Sequence, residues 1–175
     1  MIFSLMYLTN TRPNICFAVN TLTHVHWIAT KHIPMYLRGT IDYGIKYDMS
    51  QKINLEGYVD LDWAGSAIDR KSTSGCSFSM VLGVISWFSK KQSCVALSTA
   101  KAEYVTTCLA SCEAVWLREL LSNLFDLQLD ATCIHSDNQI CLKLSENPVF
   151  HDKLKHIKIK YHYIRDMVQR GAVKL

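Results

Sequence analysis

The chain has 175 residues, enough for one domain with an extension, and 49% of them are hydrophobic, so it can bury a substantial core. It has no apolar run of roughly 18 residues, which argues against a membrane-spanning helix, and its apolar start lacks the basic region and cleavage site of a signal peptide. The seven cysteines include no Cys-x-x-Cys pair, so reduced intracellular thiols are expected rather than a disulfide framework or a zinc ribbon.

The net charge of +4 is unevenly distributed along the chain. Segment 152–170 alone carries six basic and two acidic residues. A solvated helix face explains such a run, and contact with nucleic-acid phosphate is the alternative.

Residues 1–50 predict a short helical extension. A helical pattern covers 23–38, but Pro34 removes a backbone donor there and costs ~3 kcal/mol in a regular helix. We therefore expect a kink or two short helices. The polar stretch 48–54 is the expected boundary between this extension and a second domain at 51–175.

From residue 55 onwards the pattern changes to strands. Alternation in the first strand places Tyr58, Asp60 and Asp62 on one face and Val59, Leu61 and Trp63 on the other. A tight turn at Gly83 is expected to join the second and third strands. The predicted strands are about 55–62, 75–82, 84–89, 132–136 and 172–175.

Three helical patterns accompany these strands, at 98–125, 138–144 and 156–169. The longest is expected to bury an apolar set at steps of three and four: Val105, Leu109, Cys112, Trp116, Leu120 and Leu124. The element order predicts an α/β fold, a mixed sheet with flanking helices whose last strand is cut short at Leu175.

Three carboxylates lie at or near the ends of predicted elements: Asp60 on the first strand, Glu103 in the first turns of the long helix, and Asp137 after the fourth strand. Hard divalent cations prefer oxygen ligands. Two such ions ~3.5–4 Å apart can activate a water and stabilise a leaving oxygen in phosphodiester cleavage. The alternative is that these side chains are structural or solvated.

A series of motifs makes the sequence recognisable. In chain order they are YVDLDWAG at 58–65, DRKSTSG at 69–75, ISWFSKKQ at 85–92, VALS at 95–98, AEY at 102–104, DNQ at 137–139, KHI at 155–157 and YH at 161–162. Through these motifs, residues 57–175 resemble the ribonuclease H region of copia-type retrotransposon Pol polyproteins. Through SLMYL at 4–8, TRP at 11–13 and YLRGT at 36–40, residues 1–50 are similar to the end of the reverse transcriptase and its connection in the same polyproteins.

The resemblance implies a ribonuclease H-like fold and Mg²⁺-dependent hydrolysis of the RNA strand of an RNA–DNA hybrid, with Mn²⁺ as an alternative ion. The matching catalytic and metal-binding carboxylates are Asp60, Glu103 and Asp137. Asp62 is nearby but matches no catalytic position. The family uses a fourth carboxylate in an Ala-Asp pair beyond the last strand. Because the sequence stops at Leu175, we expect that ligand to be absent and the activity to be impaired.

Contacts with the hybrid are also implied by the resemblance. Asn138 and Gln139 match residues that contact the RNA backbone or its 2′-hydroxyl. Lys90 and Lys91 are candidates for phosphate contacts, with solvated loop charge as the alternative. The reverse transcriptase portion of the parent polyprotein is the expected protein partner, in a cytoplasmic virus-like particle or the nucleus.

Several positions depart from the family pattern and suggest a decayed copy. Lys101 replaces a usual Glu and so loses a capping box, at a cost of ~0.5–1 kcal/mol. The tryptophans that could stack on a base, Trp63 and Trp87, are assigned instead to the core. The other departures are Lys158 for Asp, Pro34 for an apolar residue, Val81 for a turn glycine, and a short deletion between Leu22 and His24.

Two further hypotheses stay open beside a weakened or inactive ribonuclease H. One is a non-catalytic nucleic-acid-binding remnant that uses Lys90, Lys91 and the basic segment 152–170. The other is an unselected reading frame that folds partly or not at all.

Overall fold

A computed structural model describes residues 2–22, 27–47, 53–137 and 158–175; the side chains of Ile2, 27–30 and 158–162 are outside this description. The predicted helix at 138–144 lies outside the described residues. The strands are β1 Leu55–Asp62, β2 Thr73–Met80, β3 Gly83–Lys91, β4 Thr132–His135 and β5 Val173–Lys174. The helices are α1 Ile2–Leu8, a 3₁₀ turn Pro13–Ile15, α2 Cys16–Thr21, α3 Trp27–Gly39, α4 Thr99–Phe125 and α5 Lys158–Gln169.

The five strands form one mixed sheet in the order β3-β2-β1-β4-β5. β1 pairs antiparallel with β2, and β2 with β3, whereas β4 is parallel to both β1 and β5. The antiparallel half is contiguous in the chain. The parallel half requires a long crossover, which α4 supplies. This confirms the predicted α/β class with a mixed sheet and flanking helices.

The tight turn between β2 and β3 differs from the prediction. Residues 81–82 form it, and Val81 adopts φ 61°, in the left-handed region that strongly disfavours a β-branched residue. Gly83 is instead buried inside β3. A Cβ added there would lie 2.3 Å from Cδ1 of Tyr47, so glycine is required for the close approach of that ring.

The predicted buried face of α4 is wrong. Of the expected set only Val105 is buried, while Trp116 is 53% and Leu124 is 64% exposed. The helix packs small residues on the sheet, because Ala110 and Ala114 allow its backbone to approach closely. They join the main core cluster of Leu55, Cys76, Phe78, Ala110, Ala114, Leu117, Ile134, Met167 and Val173.

Residues before the sheet form a second apolar cluster of Leu5, Ile15, Val19 and Ile33. Pro34 lies inside one continuous helix, α3, so this segment is not split into two helices. The guanidinium of Arg12 donates to the carbonyls of Thr40, Ile41 and Tyr43 and thereby caps the chain just beyond α3. The predicted division at 50/51 stays a prediction.

Two direct hydrogen bonds join this helical segment to β3. Nε1 of Trp87 donates to the carbonyl of Thr9 at 2.7 Å, and the hydroxyl of Tyr47 donates to the carbonyl of Val84 at 2.9 Å. The segment therefore packs on the outer strand of the sheet.

In the described part of the chain, no helix is both long and apolar enough to cross a membrane.

Candidate active site

The three carboxylates predicted from the sequence line one small cleft. Asp60, Glu103 and Asp137 line it together with Thr106 and Ser136. They come from a strand, a helix and a loop that are far apart in the chain. The fold therefore collects these three acidic groups, although their catalytic role stays a prediction.

Parallel pairing of β1 and β4 brings Asp60 and Asp137 to the same end of the sheet. Tyr58 is the register partner of His135. Asp60 comes two residues after Tyr58 and Asp137 two residues after His135, so the two carboxylates are at matching positions. Both side chains are exposed. Oδ1 of Asp60 accepts a hydrogen bond from the backbone N–H of Leu61 at 2.8 Å, which orients one oxygen of that carboxylate.

The start of α4 places Glu103. Ser98 has an extended backbone, and its side chain accepts a hydrogen bond from the N–H of Lys101 at 3.3 Å, as an N-cap residue does. Glu103 follows within the first two turns and is half-buried. Thr106, one turn further along, faces the same cleft.

The donor chemistry of the cleft fits a hard divalent cation, because its acidic ligands are all carboxylate oxygens. To hold a metal ion, these side chains must also lie close enough together. Among residues 2–22, 27–47, 53–137 and 158–175, no group of three or more His, Cys, Asp or Glu side chains is close enough to hold a metal ion. Asp60, Glu103 and Asp137 therefore share the cleft without forming a closed coordination shell.

Asp62 does not line the cleft. Its carboxylate instead folds over the backbone of Gly65: a Cβ added at Gly65 would lie 1.9 Å from Oδ2 of Asp62. Asp62 therefore belongs to the turn that leaves β1, in agreement with its lack of a matching catalytic position. A side chain at position 65 would displace this carboxylate.

The two candidate phosphate-binding lysines differ in their surroundings. Lys91 Nζ lies 3.1 Å from both carboxylate oxygens of Asp69 and 3.0 Å from the Ser66 hydroxyl. Lys90 is exposed, and its side chain has no hydrogen bond or ion pair within the described residues. By strand register Lys90 lies on the α4 face beside Ser74, while Lys91 lies on the opposite face. Lys90 is thus the lysine available to a phosphate.

An aromatic pair lies on the sheet face that carries Asp60. The rings of Tyr58 and His135 stack with centroids 4.8 Å apart and an interplanar angle of 20°. Oε2 of Glu56 accepts a hydrogen bond from the Tyr58 hydroxyl at 3.1 Å and lies 3.9 Å from Nε2 of His135. The bond to Glu56 raises the pKa of Tyr58. Glu56 thus holds this pair in place on β1 and β4, two residues before Asp60 and Asp137.

Other site predictions have mixed outcomes. Asn138 and Gln139 lie outside the described residues. Trp63 is 48% exposed, so its assignment to the core is wrong: it follows the last residue of β1, where the sheet no longer covers it.

Sequence reasoning did not name Thr106 or Ser136. Both could have been found, since Thr106 is one helical turn from Glu103 and Ser136 directly precedes Asp137.

The fold and this cleft define an α/β protein with an acidic cleft at the end of a mixed sheet. No protein-family model matches the chain. Comparison with known proteins finds the retrovirus-related Pol polyproteins from transposons RE2 and RE1 of Arabidopsis thaliana, 40% and 41% identical over 179 residues. The corresponding polyprotein from transposon TNT 1-94 of Nicotiana tabacum is 40% identical over 180 residues.

Each of these alignments covers 98% of this chain but only 12–13% of the relative. Over nearly its whole length the chain is similar to one segment of the retrovirus-related Pol polyproteins of copia-type retrotransposons. It spans about one-eighth of the length of each of these three polyproteins.

Proposed function

We propose that this chain is the ribonuclease H region of a copia-type Pol polyprotein and hydrolyses the RNA strand of RNA–DNA hybrids. One observation carries the proposal: Asp60, Glu103 and Asp137, from three separate elements, line a single cleft. The mixed sheet order β3-β2-β1-β4-β5 is compatible with a ribonuclease H-like fold. The proposed setting is a virus-like particle or the nucleus, with the reverse transcriptase portion of the polyprotein as partner.

Asp60, Glu103 and Asp137 are the residues that would hold Mg²⁺ or Mn²⁺. When bound, such ions activate a water and stabilise the leaving oxygen of the phosphodiester. The exposed Asp60 and Asp137 face incoming substrate, while half-buried Glu103 supplies negative charge from the wall of the cleft. Lys90 is available to hold a backbone phosphate near this end of the sheet.

The test is cleavage of a labelled RNA–DNA hybrid with Mg²⁺ and then Mn²⁺. We expect Asp60→Asn and Asp137→Asn each to abolish cleavage, because each removes one anionic ligand. Asp126→Asn is a matched control: Asp126 caps the far end of α4 in a left-handed conformation that Asn also tolerates. A folded chain that cleaves with neither ion, or cleavage that survives both cleft substitutions, contradicts the proposal.

A second candidate function is nucleic-acid binding without catalysis. The exposed Lys90, at the same end of the sheet as the cleft, favours it. It predicts hybrid binding that persists with a chelator and weakens as salt rises. Binding that is insensitive to salt argues against this second function.

A further inference from the structure

Gln92, directly after β3, is a buried polar side chain at a junction of three elements. It is 5% exposed. Its Nε2 donates to Oγ of Ser74 on β2 and to the carbonyl of Ala102 on α4, both at 2.9 Å. Its backbone N–H donates to the carbonyl of Ser72 at 2.8 Å. One residue thus connects the loop after β3, strand β2 and the start of α4.

Two buried hydroxyls close this network. Oγ of Ser74 and Oγ1 of Thr106 lie 2.7 Å apart, and Thr106 donates to the carbonyl of Ala102 at 3.1 Å. One proton arrangement serves these four bonds: Gln92 donates to Ser74 and Ala102, Ser74 donates to Thr106, and Thr106 donates to Ala102. Oε1 of Gln92 is buried and has no hydrogen-bond partner in the described part of the chain. The four bonds resist disruption, because breaking any of them leaves a further buried polar group unpaired.

The network encloses the backbone that carries Glu103. Ala102 precedes Glu103, and Thr106 follows it by one turn and lines the same cleft. On the sheet side, Ser74 is paired with Leu61, the neighbour of Asp60. The hydrogen bonds therefore join the helical turn bearing one carboxylate to the strands bearing another.

Apolar packing holds α4 to the sheet further along the helix. The α4 residues of the main core cluster are Ala110, Ala114 and Leu117, the first of them about two turns after Glu103. Small apolar residues allow the helix to approach the sheet closely. They resist sliding and rotation of the helix less than directional hydrogen bonds do. Nearer Glu103, Tyr104 and Cys108 pack with Ile164 of α5 rather than with β2. The polar network is therefore what ties the first turns of α4 to β2.

We propose that Gln92 and Ser74 are positioning residues that set the place of Glu103 relative to Asp60. The inference rests on the proposed ribonuclease function. Neither residue reaches the cleft lining itself, so both act through Ala102 and Thr106. Their loss displaces a carboxylate without removing it.

Gln92→Leu and Ser74→Ala test this inference in the full 175-residue chain. We expect kcat on the hybrid to fall by roughly 10- to 100-fold, since small misplacements of catalytic groups have effects of that size. KM for the hybrid should stay within about 2-fold, and the Mg²⁺ concentration for half-maximal rate should rise. The double variant should be little worse than either single one, because both belong to one network.

Two controls separate positioning from a general loss of stability. Gln128→Leu makes the same chemical change at an exposed glutamine remote from the cleft. Leu117→Val weakens the α4 core without touching the network. If Leu117→Val alters kcat and the Mg²⁺ dependence as much as Gln92→Leu does, the positioning role is overturned.

Amide hydrogen exchange tests the inference without an activity assay. Gln92→Leu should speed exchange at residues 102–106 and leave Ala114 protected. An inactive, folded wild-type chain would count against the proposed function, whereas unchanged exchange at 102–106 would overturn the positioning inference on its own.

Discussion

The indole N–H of Trp87 on β3 reaches the backbone carbonyl of Thr9, 78 residues earlier in the chain, at 2.7 Å. This contact joins the helical segment to the sheet. Trp87→Phe keeps an aromatic ring, although a smaller one, but loses the donor and leaves a partly buried carbonyl without that bond. We expect the free energy of unfolding to fall by about 1–2 kcal/mol, measured by chemical denaturation.

The matched control for Trp87 is Trp116→Phe, at an exposed tryptophan on α4. It should change the free energy of unfolding by less than about 0.5 kcal/mol, as surface substitutions usually do. Equal losses in both variants would show that the Trp87–Thr9 bond adds nothing.

The two neighbouring lysines should contribute unequally to nucleic-acid binding. Lys90 is exposed, whereas Lys91 is held by Asp69 and Ser66. Lys90→Ala should reduce the slope of log affinity against log salt by about 1, as expected when one phosphate contact is lost. Lys91→Ala should change it less. Fluorescence anisotropy of a labelled hybrid, with chelator present, measures both slopes, and a larger effect of Lys91 would reverse the assignment.

The turn at Val81 offers a stabilising substitution. Val81 has φ 61°, where a β-branched side chain is strained and glycine is not. Val81→Gly should raise the free energy of unfolding by about 0.5–1 kcal/mol, since relief of strain exceeds the added entropy of the unfolded chain. Thermal melts should show Tm rising by roughly 2–4 °C. Leu82→Gly, at a neighbour without this strain, should lower Tm.

Asp69 gives the β1–β2 loop a dependence on pH. A hydrogen bond from Ser66, and then contacts with Lys91 and the N–H of Lys71, lower the pKa of Asp69 to about 2. A carboxyl group with a lower pKa in the folded chain than in the unfolded chain stabilises the folded form above pH ~4. That contribution is lost as the pH falls through the folded pKa.

The loop 66–71 should therefore keep its structure at neutral pH and loosen as the pH falls from about 4 to 2. Carboxyl NMR titration measures the pKa of Asp69 directly. Ser66→Ala should raise that pKa more than Lys91→Ala does, because the Ser66 bond is the largest cause of the shift. A pKa that Ser66→Ala leaves at about 2 would assign the shift to Lys91 instead.

The sequence predicted the strands better than the packing of the helix. Alternation located β1 at its observed bounds, Leu55–Asp62, because one face is buried and the other is not. In α4 the large apolar residues at Trp116 and Leu124 suggested the wrong buried face. Hydrophobic periodicity gives most weight to large side chains. In this protein the small residues Ala110 and Ala114 face the sheet instead, because they allow the helix to approach it closely.

The candidate site could be located from the sequence only through the family resemblance. Spacing alone places Asp60, Glu103 and Asp137 on three elements but gives no distance between them. Parallel pairing of β1 with β4 is what brings two of them to one sheet end. The Gln92 network could not be foreseen, because a glutamine after a basic pair gives no sign of burial.

The contiguity of β1, β2 and β3 has a consequence for how the cleft is completed. These strands pair through short connections, so they can form early at little loop-closure cost. The β1–β4 pairing joins residues about 75 positions apart and needs α4 in place. The position of Asp60 is thus determined by pairing between neighbouring strands, whereas the position of Asp137 depends on pairing between strands far apart in the chain. A chain in which only β1, β2 and β3 are paired holds one carboxylate in position but has no complete cleft, so the proposed nuclease chemistry requires the β1–β4 pairing.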